Sequence, residues 1–282
     1  MVDIAQVTTV AALRQAVAAW RNAGQRVALV PTMGALHKGH LSLVELARSR
    51  ADRIVVSIFV NPTQFAPNED FARYPRVLEQ DTAQLAGASA DLVYAPPVEV
   101  MYPDGFATTV SLGGPATAGL DDVVRPTHFA GVATVVSKLF IQAMPDVAVF
   151  GEKDYQQLKV ITRMVHDLDL PVEIVPAPTL RESDGLALSS RNRYLSTEER
   201  ALAPAISRVL IESARRLRAG EPVATVAAEG RQTLAAEGFE VDYLEARHAD
   251  TLASVSGTAE GPLRLLAAAR LGRTRLIDNM AV

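Results

Sequence analysis

The chain has 282 residues, a formal net charge of −4, and 49% hydrophobic against 21% charged residues. This composition is typical of one large or two smaller folded domains, and 28 basic against 32 acidic residues disfavours a general nucleic-acid binder. The absence of cysteine excludes disulfides, thiolate metal sites and a cysteine nucleophile. The first residues lack signal-peptide features, and no run reaches the ~18 apolar residues of a membrane span. We therefore expect a soluble, cytoplasmic protein with neither nucleic-acid nor membrane partners.

Short apolar runs rich in valine and isoleucine alternate with helical patterns through the first two-thirds of the chain. Such runs are typical of strands buried on both faces of a parallel sheet. The predicted strands are Arg26–Pro31, Arg53–Val60, Asp91–Ala95, Asp146–Phe150 and Val172–Val175. The predicted helices are Leu41–Arg50, Pro75–Ala86, Phe129–Met144 and Tyr155–Leu168. This alternation predicts an α/β fold with helices on both faces of a parallel sheet.

Two segments depart from this alternation. Residues 105–119 resemble an insertion, with a short strand predicted over 107–112 before a Gly-Gly-Pro break. Beyond Pro178, two amphipathic helices are predicted at Glu198–Ala219 and Pro222–Glu237. They precede alternating runs suited to a small antiparallel sheet, at Glu240–Leu244, Leu263–Ala269 and Thr274–Ile277. We predict a first domain over residues 1–178 and a smaller α+β lid domain over 179–282, with a hinge near residues 176–179.

The residues that follow the first predicted strand form the strongest candidate site, because ligands bind at the carboxyl ends of parallel strands. The segment Thr32–His40 reads TMGALHKGH and leads directly into a helical pattern. Gly34 and Gly39 allow a close backbone approach, and a helix start favours anions. His37 and His40 can donate to phosphate oxygens as negative charge develops on them. Two other interpretations remain open: the histidines only cap the helix, or they bind zinc, although no third ligand lies nearby.

Polar groups in three later segments suit a nucleotide and a small acid. Gln64 follows the second run and can fix a hydroxyl or carboxylate. Lys153 begins a helix after the fourth run and can meet phosphate, with Gln157 one turn further on the same face. In Leu188–Asn192, which contains Ser-Ser-Arg, the guanidinium of Arg191 can bind phosphate bidentately. The plainer alternatives are a turn glutamine, a solvated helix start and an ordinary surface loop.

The last candidate residues are Arg125 and His128, and several common catalytic motifs are absent from the sequence. Arg125 and His128 precede an apolar helix, and for His128 a helix N-terminal position is favoured over catalysis. The sequence has no glycosidase-type carboxylate pair, no Gly-x-Ser-x-Gly elbow, no phosphate loop ending in Gly-Lys-Ser/Thr, and no dinucleotide fingerprint after the first strand. Cationic and hydrogen-bonding groups without a nucleophile indicate that the substrate supplies the nucleophile. Attack on a nucleotide phosphate is the natural candidate.

The His-x-Gly-His turn and the Ser-Ser-Arg loop together resemble the nucleotidyl-transfer superfamily, which includes class I aminoacyl-tRNA synthetases and small-molecule adenylyltransferases. Within it the chain resembles the pantothenate synthetase (pantoate–β-alanine ligase) family. The blocks that carry this resemblance run in order from residue 31 to about 252 and read PTMGALHKGHLSL, IFVNPTQF, RPTHFAGV, GEKDYQQL, DGLALSSRNRYL and VDYLEARHADTL. Leu188 stands where methionine is also familiar in the family, and both side chains are apolar.

The resemblance implies ATP-dependent condensation of (R)-pantoate with β-alanine through a pantoyl-adenylate, with release of AMP and pyrophosphate. It further implies a Rossmann-like domain with a smaller C-terminal domain, a homodimer, and Mg²⁺ used with ATP. The implied catalytic residues are His40 (the proton donor), His37, Lys153 and Arg191. The implied ATP-binding residues are Met33, Gly34, Ala35, Leu36, His37, Lys38, Gly39, His40, Gly151, Glu152, Lys153, Asp154, Leu180, Leu188, Ser189, Ser190 and Arg191. Gln64 and Gln157 would bind pantoate and Gln64 also β-alanine, while no protein ligand is assigned to the metal.

Three other functions fit parts of the same pattern less well. A nucleotidylyltransferase of the same superfamily would need a cationic site for its phosphate acceptor, whereas Gln64 and Gln157 suit a smaller, less charged molecule. A nucleotide-sensing protein without turnover could lose residues that carry chemistry, yet all of them are present. A tRNA synthetase is disfavoured by the negative net charge and by the lack of an anticodon-binding extension.

Overall fold

The computed structural model describes residues 4–65, 71–257 and 260–282, which group into two compact units. The first unit is drawn from Met1–Leu112, Arg125–Glu152 and Val160–Pro178. The second is drawn from Gly113–Val124, Lys153–Lys159 and Thr179–Val282. Two segments before residue 179 thus group with the residues after it, and the division of the chain at 178/179 stays a prediction.

The first unit contains a six-stranded parallel sheet with helices. Its strands are β1 (Ala5–Val7), β2 (Val27–Thr32), β3 (Arg53–Ile58), β4 (Leu92–Tyr94), β5 (Val147–Gly151) and β6 (Glu173–Ala177). The helices of the first 170 residues are α1 (Val10–Asn22), α2 (Lys38–Arg48), α3 (Leu78–Gly87), α4 (Val98–Met101), α5 (Asp121–Val124), α6 (His128–Ala143) and α7 (Tyr155–Asp167). The strand order is β1-β4-β3-β2-β5-β6, so the order changes direction between β2 and β5. In such sheets the crevice at that reversal is the usual ligand site.

The core of the sheet explains why the predicted strands form. The first four residues of β2 are fully buried, and β2 pairs with β3 along its whole length. Helix α2 packs Leu43, Val44 and Ala47 against this surface. Because β-branched side chains fill both faces of the central strands, the apolar runs of the sequence become buried parallel strands. The predicted α/β fold is confirmed.

Some predicted elements differ from those observed. The strand predicted over 107–112 is wrong: no strand forms there, and the amide of Val110 donates to Thr134 Oγ1 at 3.0 Å instead of to a neighbouring strand. Strand β1 was not predicted; it has three residues and none of them is buried. Helix α1 was not predicted either, although Thr9 caps it and Leu13 and Val17 are buried one turn apart.

The second unit contains a three-stranded antiparallel sheet, as predicted, and three further helices. These elements are α8 (Thr197–Leu202), α9 (Ala205–Arg218), α10 (Val223–Ala236), β7 (Glu240–His248), β8 (Leu263–Leu271) and β9 (Thr274–Ala281). The single helix predicted over Glu198–Ala219 is interrupted at Ala203–Pro204, because a proline ring removes a backbone donor and clashes with the preceding turn. Leucines and alanines of α9, α10 and β8 form its apolar core.

Within the described ranges, none of the helices is both long and apolar enough to cross a membrane.

Candidate active site

The histidine turn lies between the end of β2 and the start of α2, beside the reversal in strand order. His37 is the N-cap of α2, and its Nδ1 accepts a hydrogen bond from the amide of Gly39 at 3.1 Å. His40 Nδ1 accepts from the amide of His37 at 3.3 Å, and the two ring centroids are 4.1 Å apart. A neutral imidazole has one donor and one acceptor nitrogen, so these bonds place the proton of each neutral ring on Nε2. The turn therefore caps the helix and still carries two adjacent Nε2 donors.

A buried carboxylate shapes the backbone just before these histidines. Gly34 and Ala35 have φ of +80° and +53°, and Asp81 of α3 accepts hydrogen bonds from the amides of Ala35 and Leu36 at 2.8 Å each. A Cβ at position 34 would lie 3.0 Å from Asp81 Oδ2, so the positive φ and the close approach both favour glycine. The amides of Ala35 and Leu36 thus donate to the protein itself, and a bound nucleotide would have to meet other atoms of this turn.

Gln64 lies beside the histidine turn through its contact with Met33. Its Nε2 donates to Met33 Sδ at 3.1 Å, and its Oε1 accepts from Asn61 Nδ2 at 3.0 Å. Because a thioether is a weak acceptor, Nε2 keeps most of its capacity to donate to a substrate oxygen. Residues 33 and 64, which were predicted to belong to different subsites, are therefore neighbours in the first unit.

The backbone of Gln64 is held by the start of α6. Its carbonyl oxygen accepts from His128 Nδ1 at 2.8 Å and from Arg125 Nη2 at 3.1 Å. Since a carbonyl can only accept, His128 carries its proton on Nδ1, and its Nε2 accepts from Arg125 Nη1 at 3.2 Å. His128 is the first residue of α6, as predicted, and it is buried. It acts on the site through the position of Gln64.

Asn61 is a buried connector that was not predicted from the sequence. Its Oδ1 accepts from the Tyr102 hydroxyl at 2.8 Å and from Thr63 Oγ1 at 3.0 Å. Its Nδ2 donates to the carbonyl of Gly131 at 3.2 Å as well as to Gln64. Burial raises the pKa of Tyr102, although its hydrogen bonds with Thr63 and Asn61 oppose the rise. The phenol therefore stays a neutral donor at physiological pH and keeps the Asn61 side chain oriented.

Lys153 belongs to the second unit, although it follows β5 of the first. The turn Glu152–Asp154 leads into α7, and the ammonium of Lys153 lies 3.5 Å from Asp154 Oδ1. The Lys153 side chain is mostly buried, with 19% exposure, whereas that of Asp154 is 49% exposed. Gln157 is half-buried in the first turn of α7. This segment thus supplies one cation and one amide.

The Ser-Ser-Arg loop of the second unit follows a small hairpin. The amide of Leu188 donates to the carbonyl of Leu180 at 3.0 Å, which brings two predicted ATP-binding residues together. Ser189 Oγ then caps the turn Ser190–Tyr194 by accepting from the amide of Arg191 at 3.3 Å. The loop is therefore held by hydrogen bonds within its own segment, to the Leu180 carbonyl and the Ser189 hydroxyl.

The predicted site residues fall into two groups. Those of the first unit gather at the ends of β2 and β3, and in the same unit Gly151 ends β5 and Glu152 follows it. The second unit carries the rest, namely Lys153, Asp154, Gln157, Leu180, Leu188, Ser189, Ser190 and Arg191. That His40, Lys153 and Arg191 meet a single triphosphate stays a prediction.

Comparison with known proteins shows which family the chain belongs to. The model of the family described as pantoate-beta-alanine ligase matches residues 5–281. A pantothenate synthetase of Rhodopseudomonas palustris is 59% identical, with 97% of each chain covered, and pantothenate synthetase 2 of Bradyrhizobium diazoefficiens is also 59% identical over 97% of each.

Solved structures give the same result. The crystal structure of pantothenate synthetase from Thermus thermophilus superposes with a TM-score of 0.92 at 50% identity, covering 98% of this chain and 99% of that one. A pantoate-beta-alanine ligase from Francisella tularensis, crystallised with beta-gamma ATP and beta-alanine, has a TM-score of 0.81 at 32% identity, with 99% and 97% covered. With the family model matched from the first strand to the last, and with full-length relatives at this identity, the chain belongs to the pantoate–β-alanine ligase family.

Proposed function

We propose that the chain joins (R)-pantoate to β-alanine at the expense of ATP, through an enzyme-bound pantoyl-adenylate, and releases AMP and pyrophosphate. The observation that carries this proposal is the histidine turn after β2, whose paired Nε2 donors lie in the same unit as the Gln64 amide. Such a turn offers hydrogen bonds to phosphate, while a neutral amide beside it suits a hydroxy acid. Family membership supports both halves of the reaction.

In the first step the pantoate carboxylate attacks the α-phosphorus of ATP, an O–P bond forms, and pyrophosphate leaves with the bridging oxygen. The carboxylate is ionised at neutral pH, so this step needs no general base. Its main barrier is the approach of two anions and the charge that gathers on the leaving pyrophosphate. We assign His37, His40, Lys153 and Arg191 to offset that charge, with hydroxyls of Ser189 and Ser190 as further donors.

In the second step the neutral amine of β-alanine attacks the acyl carbon, a C–N bond forms, AMP leaves as the acyl–oxygen bond breaks, and the attacking nitrogen releases one proton. We assign Gln64 to both acids and Gln157 to pantoate. A neutral amide holds a hydroxyl or carboxylate without adding positive charge beside the incoming amine. The hydrogen bonds to the Gln64 carbonyl from Arg125 and His128, and to its Oε1 from Asn61, support this role. They fix the direction of Gln64 Nε2 before substrate binds.

We further propose that Mg²⁺ accompanies ATP. In the described part of the chain, no three histidine, aspartate or glutamate side chains cluster as a metal site. We therefore propose that the phosphates of ATP supply most of the ligands of the ion, which is the common arrangement for Mg²⁺. Bound there, the ion would neutralise phosphate charge and so assist departure of pyrophosphate. A cytoplasmic homodimer remains a proposal that rests on the family resemblance.

The experiment that tests the reaction is exchange of labelled pyrophosphate into ATP. We expect exchange that requires pantoate and proceeds without β-alanine, because adenylate formation is reversible and precedes the amine. Addition of β-alanine should then give stoichiometric AMP and pantothenate. Exchange that needs no pantoate, or that responds to a phosphate ester instead, would show a nucleotidylyltransferase and refute the proposal.

A further inference from the structure

Two adjacent polar residues of β9, Asp278 and Asn279, are buried in the second unit and have no part in the reaction described above. Their exposures are 5% and 3%, and the large majority of polar side chains buried to this extent are hydrogen-bonded. The amide of Asn279 donates to Asp278 Oδ1 at 2.7 Å, so the two residues are also linked to each other.

Asn279 holds the backbone of Lys153. Its Nδ2 donates to the Lys153 carbonyl at 2.8 Å, and its Oδ1 accepts from Arg264 Nε at 2.7 Å. A guanidinium can only donate, so Arg264 fixes the amide with its donor end toward Lys153. Arg264 also lies over the ring of Tyr155, 4.2 Å from its centroid, and the Tyr155 hydroxyl donates to the Ala249 carbonyl at 3.0 Å. The start of α7 is thereby attached to the C-terminal sheet at two points.

Asp278 holds the hairpin that leads to the Ser-Ser-Arg loop. Its carboxylate accepts hydrogen bonds from both terminal nitrogens of Arg181, at 2.6 and 2.8 Å. Arg181 Nη1 also donates to the Gly185 carbonyl at 3.0 Å, and residue 181 pairs with Ala187 across the hairpin. Bidentate pairs of this kind fix geometry as well as contributing energy. The chain passes from this hairpin directly into Ser189.

We propose that Asp278 and Asn279 are a positioning pair that fixes Lys153 and the Ser189–Arg191 loop in one rigid frame. Two cationic elements separated by 36 residues of sequence are thus held by consecutive residues of a single strand. Fixed charges are effective in phosphate chemistry because they need no reorganisation as the reaction proceeds. This inference rests on the proposed function only in assigning Lys153 and Arg191 to ATP.

Two variants of Asn279 separate positioning from mere structural support. Asn279→Ala removes the side-chain hydrogen bonds with Arg264 and with the Lys153 carbonyl, whereas Asn279→Asp keeps an acceptor for Arg264 but loses the donor to the Lys153 carbonyl. We expect both variants to lower kcat of pantoate-dependent exchange about 10- to 100-fold, as small displacements of reacting groups do. The KM for pantoate should change less than twofold. Normal kcat in Asn279→Asp would overturn the role assigned to the Lys153 contact.

Asp278→Asn tests the other half of the pair. It weakens the charged bidentate contact with Arg181, and we expect a loss of kcat of at least fivefold with pantoate KM again unchanged. The matched control is Ser213→Ala, which alters a buried polar side chain of α9 in the same unit. Thermal melting of all four variants reports folding. A loss of kcat in the control equal to that of the β9 variants would refute the proposal.

Calorimetric titration with inorganic pyrophosphate separates this inference from the reaction itself. The wild-type protein should bind pyrophosphate, and each β9 variant should bind it at least fivefold more weakly, whichever acid is the substrate. Pyrophosphate binding that weakens as expected, in a protein without pantoate-dependent exchange, would refute the reaction and support the pair. Wild-type exchange together with unchanged pyrophosphate affinity in the variants would refute the pair and leave the reaction standing.

Discussion

Gly131 in the second turn of α6 offers the sharpest test of how Gln64 is positioned. A Cβ at this position would lie 2.4 Å from the carbonyl oxygen of Thr63, 2.7 Å from its carbon and 3.0 Å from the amide nitrogen of Gln64. All three contacts are with backbone, so no side chain can rotate away. Gly131→Ala therefore moves either the helix or the turn that carries Gln64.

The size of the effect follows from these distances. Real Cβ atoms essentially never approach within 3.0 Å, so the turn must retreat by at least 0.6 Å, the difference between 3.0 and 2.4 Å. Overpacking of this kind costs about 1–3 kcal/mol, while alanine gains about 1 kcal/mol over glycine inside a helix. We expect a net destabilisation of about 0–2 kcal/mol. Because a 1 Å displacement can cost about 100-fold in rate, kcat/KM for pantoate should fall roughly tenfold or more.

The assay combines steady-state kinetics with urea unfolding, and Gly87→Ala serves as the control. Gly87 ends α3, and a Cβ added there would meet no other atom within 4 Å, so alanine should be neutral or slightly stabilising. In Gly131→Ala the KM for ATP should stay within twofold, since the histidine turn is not the group displaced. Wild-type kcat/KM for pantoate in Gly131→Ala would refute the reasoning that α6 positions Gln64.

Four further variants test other contacts. His40→Ala and Lys153→Ala should each lower the rate of pantoate-dependent exchange by ~10²–10³-fold with the fold retained, because this is the usual cost of removing one preorganised donor. A normal exchange rate in either variant would refute the role assigned to the residue that it replaces. Asp81→Ala leaves two buried amides without their acceptor, so the free energy of unfolding should fall by about 3 kcal/mol in urea, and no change would show that water replaces the carboxylate. Burial raises the pKa of Tyr94 to about 12. Because this folded pKa lies above the unfolded value, the stabilising contribution of the neutral Tyr94 is complete below pH 10 and is lost as the pH rises toward 12. The free energy of unfolding of Tyr94→Phe should therefore fall less steeply than that of the wild type between pH 10 and 12. Parallel plots of the free energy of unfolding against pH would contradict this.

The strand ends were predictable from the sequence because burial on both faces leaves an unambiguous apolar run. Candidates at the strand ends could then be found by reading the next few residues, as with Gln64 after β3 and Lys153 after β5. The prediction failed for residues 107–112, where the segment ATTVSL was expected to form a short strand but forms none. It also missed β1, whose three residues are too few to show a pattern.

The supporting residues could not be predicted, because their partners are distant in sequence. Asp81 accepts hydrogen bonds from the amides of Ala35 and Leu36, which precede it by 46 and 45 positions. Asn279 donates to the carbonyl of Lys153, which precedes it by 126 positions. Asp81 lies in the first turn of α3, where an acidic residue is expected anyway for the helix dipole, so nothing local distinguishes it. Only the folded chain shows that this aspartate faces the turn of Gly34 and Ala35.

Three donors of the proposed site, His37, His40 and Gln64, each have their other polar atom held by the protein. The two histidines accept backbone amides at Nδ1, which assigns the proton of each neutral ring to Nε2. Gln64 accepts from Asn61 at Oε1, which leaves Nε2 as its donor. A donor oriented in this way needs little rearrangement when charge appears on phosphate, and this is the condition under which neutral groups stabilise a transition state most. Under the proposed function, the hydrogen bonds that cap α2 and hold the Gln64 turn would also orient the donors that meet the substrates, so helix capping by the histidines is compatible with the catalysis proposed for them.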